Sequence, residues 1–284
     1  MPDQADTAGT IQTILRYAVK SMGPEQLDAS VVTEHGLLGD RGYALIDKEN
    51  GKIGSAKMPT KWGNLLTLNS TFTTPPVAGQ PLPPVKINWP DGSSTTSDSD
   101  DVDARLSETV GRAARLSSTK PEEISLERLD PMVEEEVILD IGAIMMEGRF
   151  SDYAAIHMLT TASLARLKEL RPDINFEAGR FRANLIIEAP EGAHGFVEND
   201  WVGKTVCIGD DVRLRISDPT PRCFIPMLPQ HGGIKADPKV LPAIVDLNVL
   251  PVPLLDDKIL PCVGVYGFVE QGGNIKKGDK VRVE

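Results

Sequence analysis

Cysteine and histidine are scarce in this 284-residue sequence, which has three of the first and four of the second. Cys207, Cys223 and Cys262 form an odd set with no C-x-x-C spacing, which argues against a disulfide framework and a structural zinc site and fits a reducing compartment. None of His35, His157, His194 and His231 has a partner at metal-ligand spacing. No G-x-G-x-x-G opens a helix, and G-x-x-x-x-G-K-[ST], H-E-x-x-H and G-x-S-x-G are all missing, so dinucleotide, phosphate-loop, zincin and α/β-hydrolase chemistries lack support. Positive charge is also in deficit: 30 Lys and Arg face 41 Asp and Glu, a net −11 that disfavours binding to a phosphodiester backbone. No apolar run approaches a membrane span, and "MPDQADTAGT" has no apolar signal segment. The expectation is a cytoplasmic protein with no nucleic-acid partner and no membrane span.

What is present reads as globular and rich in β-structure, with 40% hydrophobic and 25% charged residues. Apolar residues alternate from Ile11 to Val19, the period of a half-buried strand, until "SMGP" breaks it. "DASVVTEHG" and "GYALIDKENGKIGSA" read as further strands, the second carrying an Asn-Gly hairpin turn. Residues 71 to 100 look like excursions from a sheet, with one hairpin at "VKINWPDGSSTT". A helix follows with Val102, Leu106 and Val110 on one face and acidic residues in its first turn, and another covers "LTTASLARLKELRP", capped by Thr160 or Thr161. The acidic, irregular run "STKPEEISLERLDPMVEEEV" sets a soft boundary near residue 135, giving segments 11–135 and 136–284. Beyond it strands dominate, and "GDDVRL" at 209 to 214 recurs as "GDKVRV" at 278 to 283, as expected where hairpins re-enter a closed barrel. The predicted fold is mainly β with attached helices, α+β, in two barrel-like halves.

Chemistry concentrates in three places. Cys207 and Cys262 lie in strand patterns and read as core thiols, whereas Cys223 follows Arg222 in a loop stiffened by Pro219, Pro221 and Pro226. A neighbouring guanidinium favours the thiolate, the form that attacks electrophiles or binds soft metals, although context alone leaves open a loop cysteine without a role. In "GRFRANLIIE", Arg180, Arg182 and Asn184 are expected to alternate onto one face of a strand, where they suit either a bound phosphate or a surface stripe of ion pairs. Lys20 and Ser21 stand where the first strand runs into its turn, and Asp40 and Arg41 occupy a similar turn. His157, between Ile156 and Met158, reads as a core histidine.

These residues carry a resemblance. "ILRYAVKSMGPEQLDASVVTEHGLLGDRGYALID" resembles the β-barrel domain that precedes MOSC domains, and "FSDYAAIHMLTTASLARLKEL", "GRFRANLIIE", "ENDWVGKTVCIGDDVRLRISDPTPRC" and "VGVYGFVEQGGNIKKGDKVRVE" resemble the MOSC domain itself. The resemblance implies a protein similar to the mitochondrial amidoxime-reducing component and its bacterial relatives, binding a molybdenum cofactor with Cys223 as thiolate ligand beside a pyranopterin dithiolene. It implies that Lys20, Ser21, Arg41, Ser151, Arg180, Arg182, Asn184 and Arg222 hold the cofactor's phosphate or polar groups, and it admits pyridoxal phosphate binding among the properties of the family. The implied function is an oxidoreductase acting on N-hydroxylated small molecules with electrons from an external flavin or iron–sulfur donor. A carrier that holds the cofactor or sulfur without turnover is the alternative. A cysteine-nucleophile enzyme using His231 or His157 as base is a further one, but no Gly-rich oxyanion donor lies beside Cys223.

Overall fold

The computed structural model describes residues 6–122, 125–129, 136–140, 149–151 and 153–284, so the boundary expected near residue 135 lies outside the described residues. Seven strands close a barrel: β1 (Asp6–Arg16), β2 (Ile156–Thr160), β3 (Leu185–Glu188), β4 (Thr205–Ile208), β5 (Val212–Pro221), β6 (Lys258–Gln271) and β7 (Lys280–Val283). They run in the order β2-β3-β1-β7-β4-β5-β6, and β6 pairs back onto β2 to complete the circle. All neighbours are antiparallel except β2 and β3. That parallel pair needs a crossover, which the helix Thr161–Leu170 supplies. Thr160 caps this helix, its Oγ1 accepting from the Ser163 amide at 3.1 Å.

The two "GD-VR" repeats become β5 and β7, which flank the same strand, β4. The barrel also takes β1 from the far end of the sequence, with Thr10 opposite both Glu188 of β3 and Lys280 of β7. The strict alternation expected along β1 is broken by a register shift between Ile11 and Thr13, so Ile11 and Ile14 face the core. They join Ile156, Met158, Leu185, Val206, Leu214, Val265 and Val281 inside the barrel. Each such aliphatic side chain contributes roughly 1.5–3 kcal/mol on burial.

The other half is built from small sheets. Ala44–Asp47 pairs with Ala114–Ser117, and Asn69–Phe72, Val85–Asn88 and Ser94–Thr96 form a three-stranded sheet. Its separate core holds Val19, Tyr43, Leu45, Trp62, Leu68 and Leu106. Val85 and Ile87 are fully buried in that core, so the hairpin of the Pro- and Ser-rich stretch is an integral part of it and not an excursion. The acid-rich helix spans Val102–Val110 and ends on Gly111 in the left-handed region. On leaving the barrel, β1 runs through residues 17–21 directly into this second core, and the candidate site lies at that passage. Among the described residues no helix is long and apolar enough to cross a membrane.

Candidate functional site

Three short segments meet where β1 ends. Tyr17 accepts the Arg41 amide on its carbonyl at 2.6 Å, its own amide donates to Asp40 Oδ1 at 2.9 Å, and its phenol donates to the Ala183 carbonyl at 3.2 Å. The tyrosine is completely buried, which pushes its pKa up to about 12. The Arg41 and Arg182 guanidinium carbons lie over its ring at 4.7 and 4.5 Å from the centroid. Ser21, Arg41 and Arg182 all hold positive φ, at 68°, 51° and 54°, and they make up three of the five such non-glycine residues described. A left-handed backbone costs such residues roughly 1–3 kcal/mol, and this strain collects at residues expected to hold a ligand.

The cations share one carboxylate among the described residues of this cluster. Asp40 Oδ2 accepts from Arg41 and Arg149, while Oδ1 also accepts from Asn184 Nδ2 at 3.1 Å. Arg149 is almost fully buried, donates to the carbonyls of His35 and Ala155, and has its pKa pushed down to about 10 by burial. Lys20, buried as well, donates from Nζ to the Phe150 carbonyl at 2.9 Å, and the Phe150 amide donates to the Arg41 carbonyl. Among the described residues, Lys20, Arg41, Arg149, Arg182 and Arg222 gather around Asp40, a local concentration of cations inside an acidic protein.

Cys223 follows Arg222 in the chain. Of the three thiols, Cys207 and Cys262 are buried and Cys223 is partly exposed. It follows β5 directly, in a loop tied to the barrel by the Arg222 amide, which donates to the Pro261 carbonyl at 2.8 Å. The Arg222 side chain reaches back into the protein, donating from Nε to the Val263 carbonyl and from Nη1 to the Phe181 carbonyl, both at 3.0 Å. Its Nη2 lies 2.6 Å from His157 Nε2. Arginine can only donate, so this imidazole accepts and carries its proton on Nδ1. Burial first, and the Arg222 charge second, hold the His157 pKa well below its usual value. Gly264 lets these groups approach: a Cβ there would lie 2.5 Å from His157 Nε2. Burial pushes the pKa of Arg222 itself down, an effect opposed by Tyr266 and Cys223.

The expected strand face bearing Arg180, Arg182 and Asn184 does not form. Ala178–Phe181 is a 3-10 turn, Arg182 is left-handed, and β3 begins only at Leu185, so the three side chains diverge. Arg180 is buried, pairs with Glu177 at 2.6 Å and donates to the Pro226 carbonyl at 3.1 Å, so it braces the Cys223 loop from behind. Arg182 donates to the Met22 carbonyl at 2.7 Å beside Tyr17. Asn184 is consumed by structure: its Oδ1 accepts from the His157 amide and Arg41, and its Nδ2 donates to Leu15 and Asp40. Ser21 Oγ accepts from the Ala56 amide, and Ser151 Oγ donates to the Ala154 carbonyl. Arg41, Arg182, Arg222 and Cys223 remain partly open to solvent.

Sequence reading missed Tyr17, Arg149 and the tie from His157 to Arg222. The bracketing of "RYAVKS" by basic residues was a signal for the first, and nothing local pointed to the other two. Among the described residues, no three His, Cys, Asp or Glu side chains converge as a metal cage. The donor set is one accessible thiol beside fixed cations, which suits an anionic group that brings its remaining metal ligands with it.

Residues 146–282 match the family model of the MOSC domain, and residues 8–63 match that of the MOSC N-terminal beta barrel domain. The second match begins inside β1, the strand that completes the barrel of the first. No curated protein matches. Among solved structures, YiiM from Geobacillus stearothermophilus aligns at 20% identity over 46% of this chain, with a TM-score of 0.31. That alignment spans about half of YiiM, 54% of its chain. The YuaD protein from Bacillus subtilis aligns at 10% identity over 97% of this chain and 94% of its own, with a TM-score of 0.41.

Proposed function

This chain belongs to the MOSC family, which is associated with the molybdenum cofactor, and from that premise we propose that it is a molybdenum-dependent oxidoreductase that reduces N-hydroxylated small molecules. The observation that carries the reading is the placement of Cys223. It is the accessible thiol of the three, held beside Arg222 at the edge of a cluster of cations that a phosphate-bearing cofactor needs.

In this reading Cys223 is the thiolate ligand, and the loop after β5 fixes its direction through the Arg222 amide and the Arg180 brace. Arg41 and Arg182 would hold the phosphate, with Lys20 and Arg149 raising the local potential. Ser21 and Asn184 maintain the turns that aim them, Ser151 does the same for the 151–155 loop, and Arg222 stabilises charge beside the thiolate. When bound, the molybdenum centre supplies oxygen-atom abstraction, and its two electrons come from an external flavin or iron–sulfur protein.

The test is elemental analysis of protein purified from a cofactor-competent host, comparing wild type with Cys223→Ser. Near-stoichiometric molybdenum in the wild type and its loss in the variant support the reading, as does turnover of a hydroxylamine or amidoxime with reduced methyl viologen. Molybdenum in neither protein overturns it. Metal without turnover leaves a cofactor carrier.

A further inference from the structure

We propose that Tyr153 and Asp218 form a latch that positions the end of β5, and with it Cys223, against the segment that carries Arg149 and Phe150. This rests on reading Cys223 as the thiolate ligand. The Tyr153 phenol donates to Asp218 Oδ2 at 2.9 Å. Asp218 lies in β5, shortly before Cys223. Tyr153 closely follows Arg149, which pairs with Asp40, and Phe150, whose carbonyl accepts from Lys20. One hydrogen bond therefore connects the strand that delivers the thiol to the segment that reaches into the basic cluster.

This end of β5 needs a side-chain anchor because its ladder thins there. The register with β6 shifts between Ile216 and Asp218 and again between Pro219 and Pro221. Neither proline has an N–H to give to the partner strand. Asp218 stands among these irregularities and is only 2% exposed. Its Oδ1 accepts from the Leu254 amide at 2.8 Å, in the 3-10 turn that precedes β6, while Oδ2 takes the tyrosine. Beyond Asp218, Pro219 and Pro221 each have φ locked by the ring, so a displacement at Asp218 is passed on toward Cys223 and not absorbed. Tyr153 is held on its other faces as well. Its ring stands edge-on to Tyr266 and Phe268, with centroids 5.5 and 5.2 Å away. Burial first, and the bond to Asp218 second, push its pKa up to about 12, so the phenol stays a donor throughout the neutral range. Tyr266 in turn packs edge-on against His157, the imidazole that accepts from Arg222.

The test compares iodoacetamide alkylation of the partly exposed Cys223 with that of the buried Cys207. It is read by peptide mass spectrometry on full-length protein purified from a host unable to make the molybdenum cofactor. Tyr153→Phe keeps the ring contacts and loses the phenol bond, and the ratio of the Cys223 rate to the Cys207 rate is expected to rise about fivefold, the equivalent of one net hydrogen bond. Asp218→Asn can turn its amide so that the oxygen accepts from Leu254 and the nitrogen donates to Tyr153, which should keep the ratio within about twofold of wild type. A merely structural role would lower the melting temperature and quicken both thiols together. An unchanged ratio in Tyr153→Phe, or an equal rise in Asp218→Asn, overturns the proposal. In protein from a cofactor-competent host, Tyr153→Phe should retain its molybdenum and show a shifted Mo(V) resonance, and an unshifted one also overturns it. If the wild type from that host holds no molybdenum, the thiolate-ligand reading has failed, and the alkylation ratio still decides whether the latch holds the thiol.

Discussion

Replacing Asp40 with Asn removes a buried carboxylate that pairs with two arginines of the cluster and leaves the shape of the side chain unchanged. Asp40 is fully buried, and its Oδ2 serves Arg41 and Arg149, the latter with a side chain only 4% exposed. An Asn oxygen can still accept from the Tyr17 amide. The amide nitrogen that replaces Oδ2 then faces two guanidinium donors with nothing to accept. Breaking one partner out of a buried ion pair costs about 3–5 kcal/mol, because the remaining charge stays desolvated. Arg149 is poorly placed to absorb that loss, since burial pushes its pKa down to about 10 even beside Asp40. For a protein of this size the cost corresponds to a fall in melting temperature of roughly 10 °C. Thermal and urea melts at neutral pH in chloride buffer measure it. Adding phosphate should restore more stability to Asp40→Asn than to wild type, because an anion bound to the native state supplies the missing negative charge. A fall of less than about 2 °C, or equal phosphate rescue in both proteins, would refute the reasoning.

Two further outcomes follow from the same geometry. Burial holds the His157 pKa well below that of the unfolded chain, so its contribution to stability is complete above about pH 6.5 and is lost as the pH falls, at about 1.4 kcal/mol per unit. His157→Gln, whose amide oxygen can accept from Arg222, should lack that slope in urea melts between pH 7 and 5, and parallel slopes would count against it. Arg180→Met should cost about 2 kcal/mol by stranding the Pro226 carbonyl and Glu177, yet change phosphate affinity less than twofold. A large loss of affinity would return Arg180 to the phosphate site.

Much of the fold was legible because its signals are local. The Thr160 cap, the Asn-Gly turn with Asp47 donating to the Lys52 carbonyl, and the two Gly-Asp repeats each show in a few neighbouring residues. The site was legible where a resemblance supplied the residues. It was misread where alternation was extended through Arg182, because a single left-handed residue resets the side-chain direction and the sequence "GRFRAN" carries no glycine there to announce it. Tyr17, Arg149 and His157 matter through partners far away in sequence, and no pattern of nearest neighbours reports such contacts.

The membership of β1 in the barrel also bears on how the chain acquires its structure. Asp6 pairs with Val283, so β1 completes its hydrogen bonds only when β7, far later in the sequence, has emerged. At about 5–20 residues per second, it waits on the order of tens of seconds. Meanwhile its Ile11 and Ile14 have no barrel to enter, and the core formed by the intervening half must assemble beside a strand still unpaired at one edge. The seam between β1 and β7 is thus where a stalled or truncated chain would expose its adhesive edge, and where a nascent-chain chaperone would have most to protect.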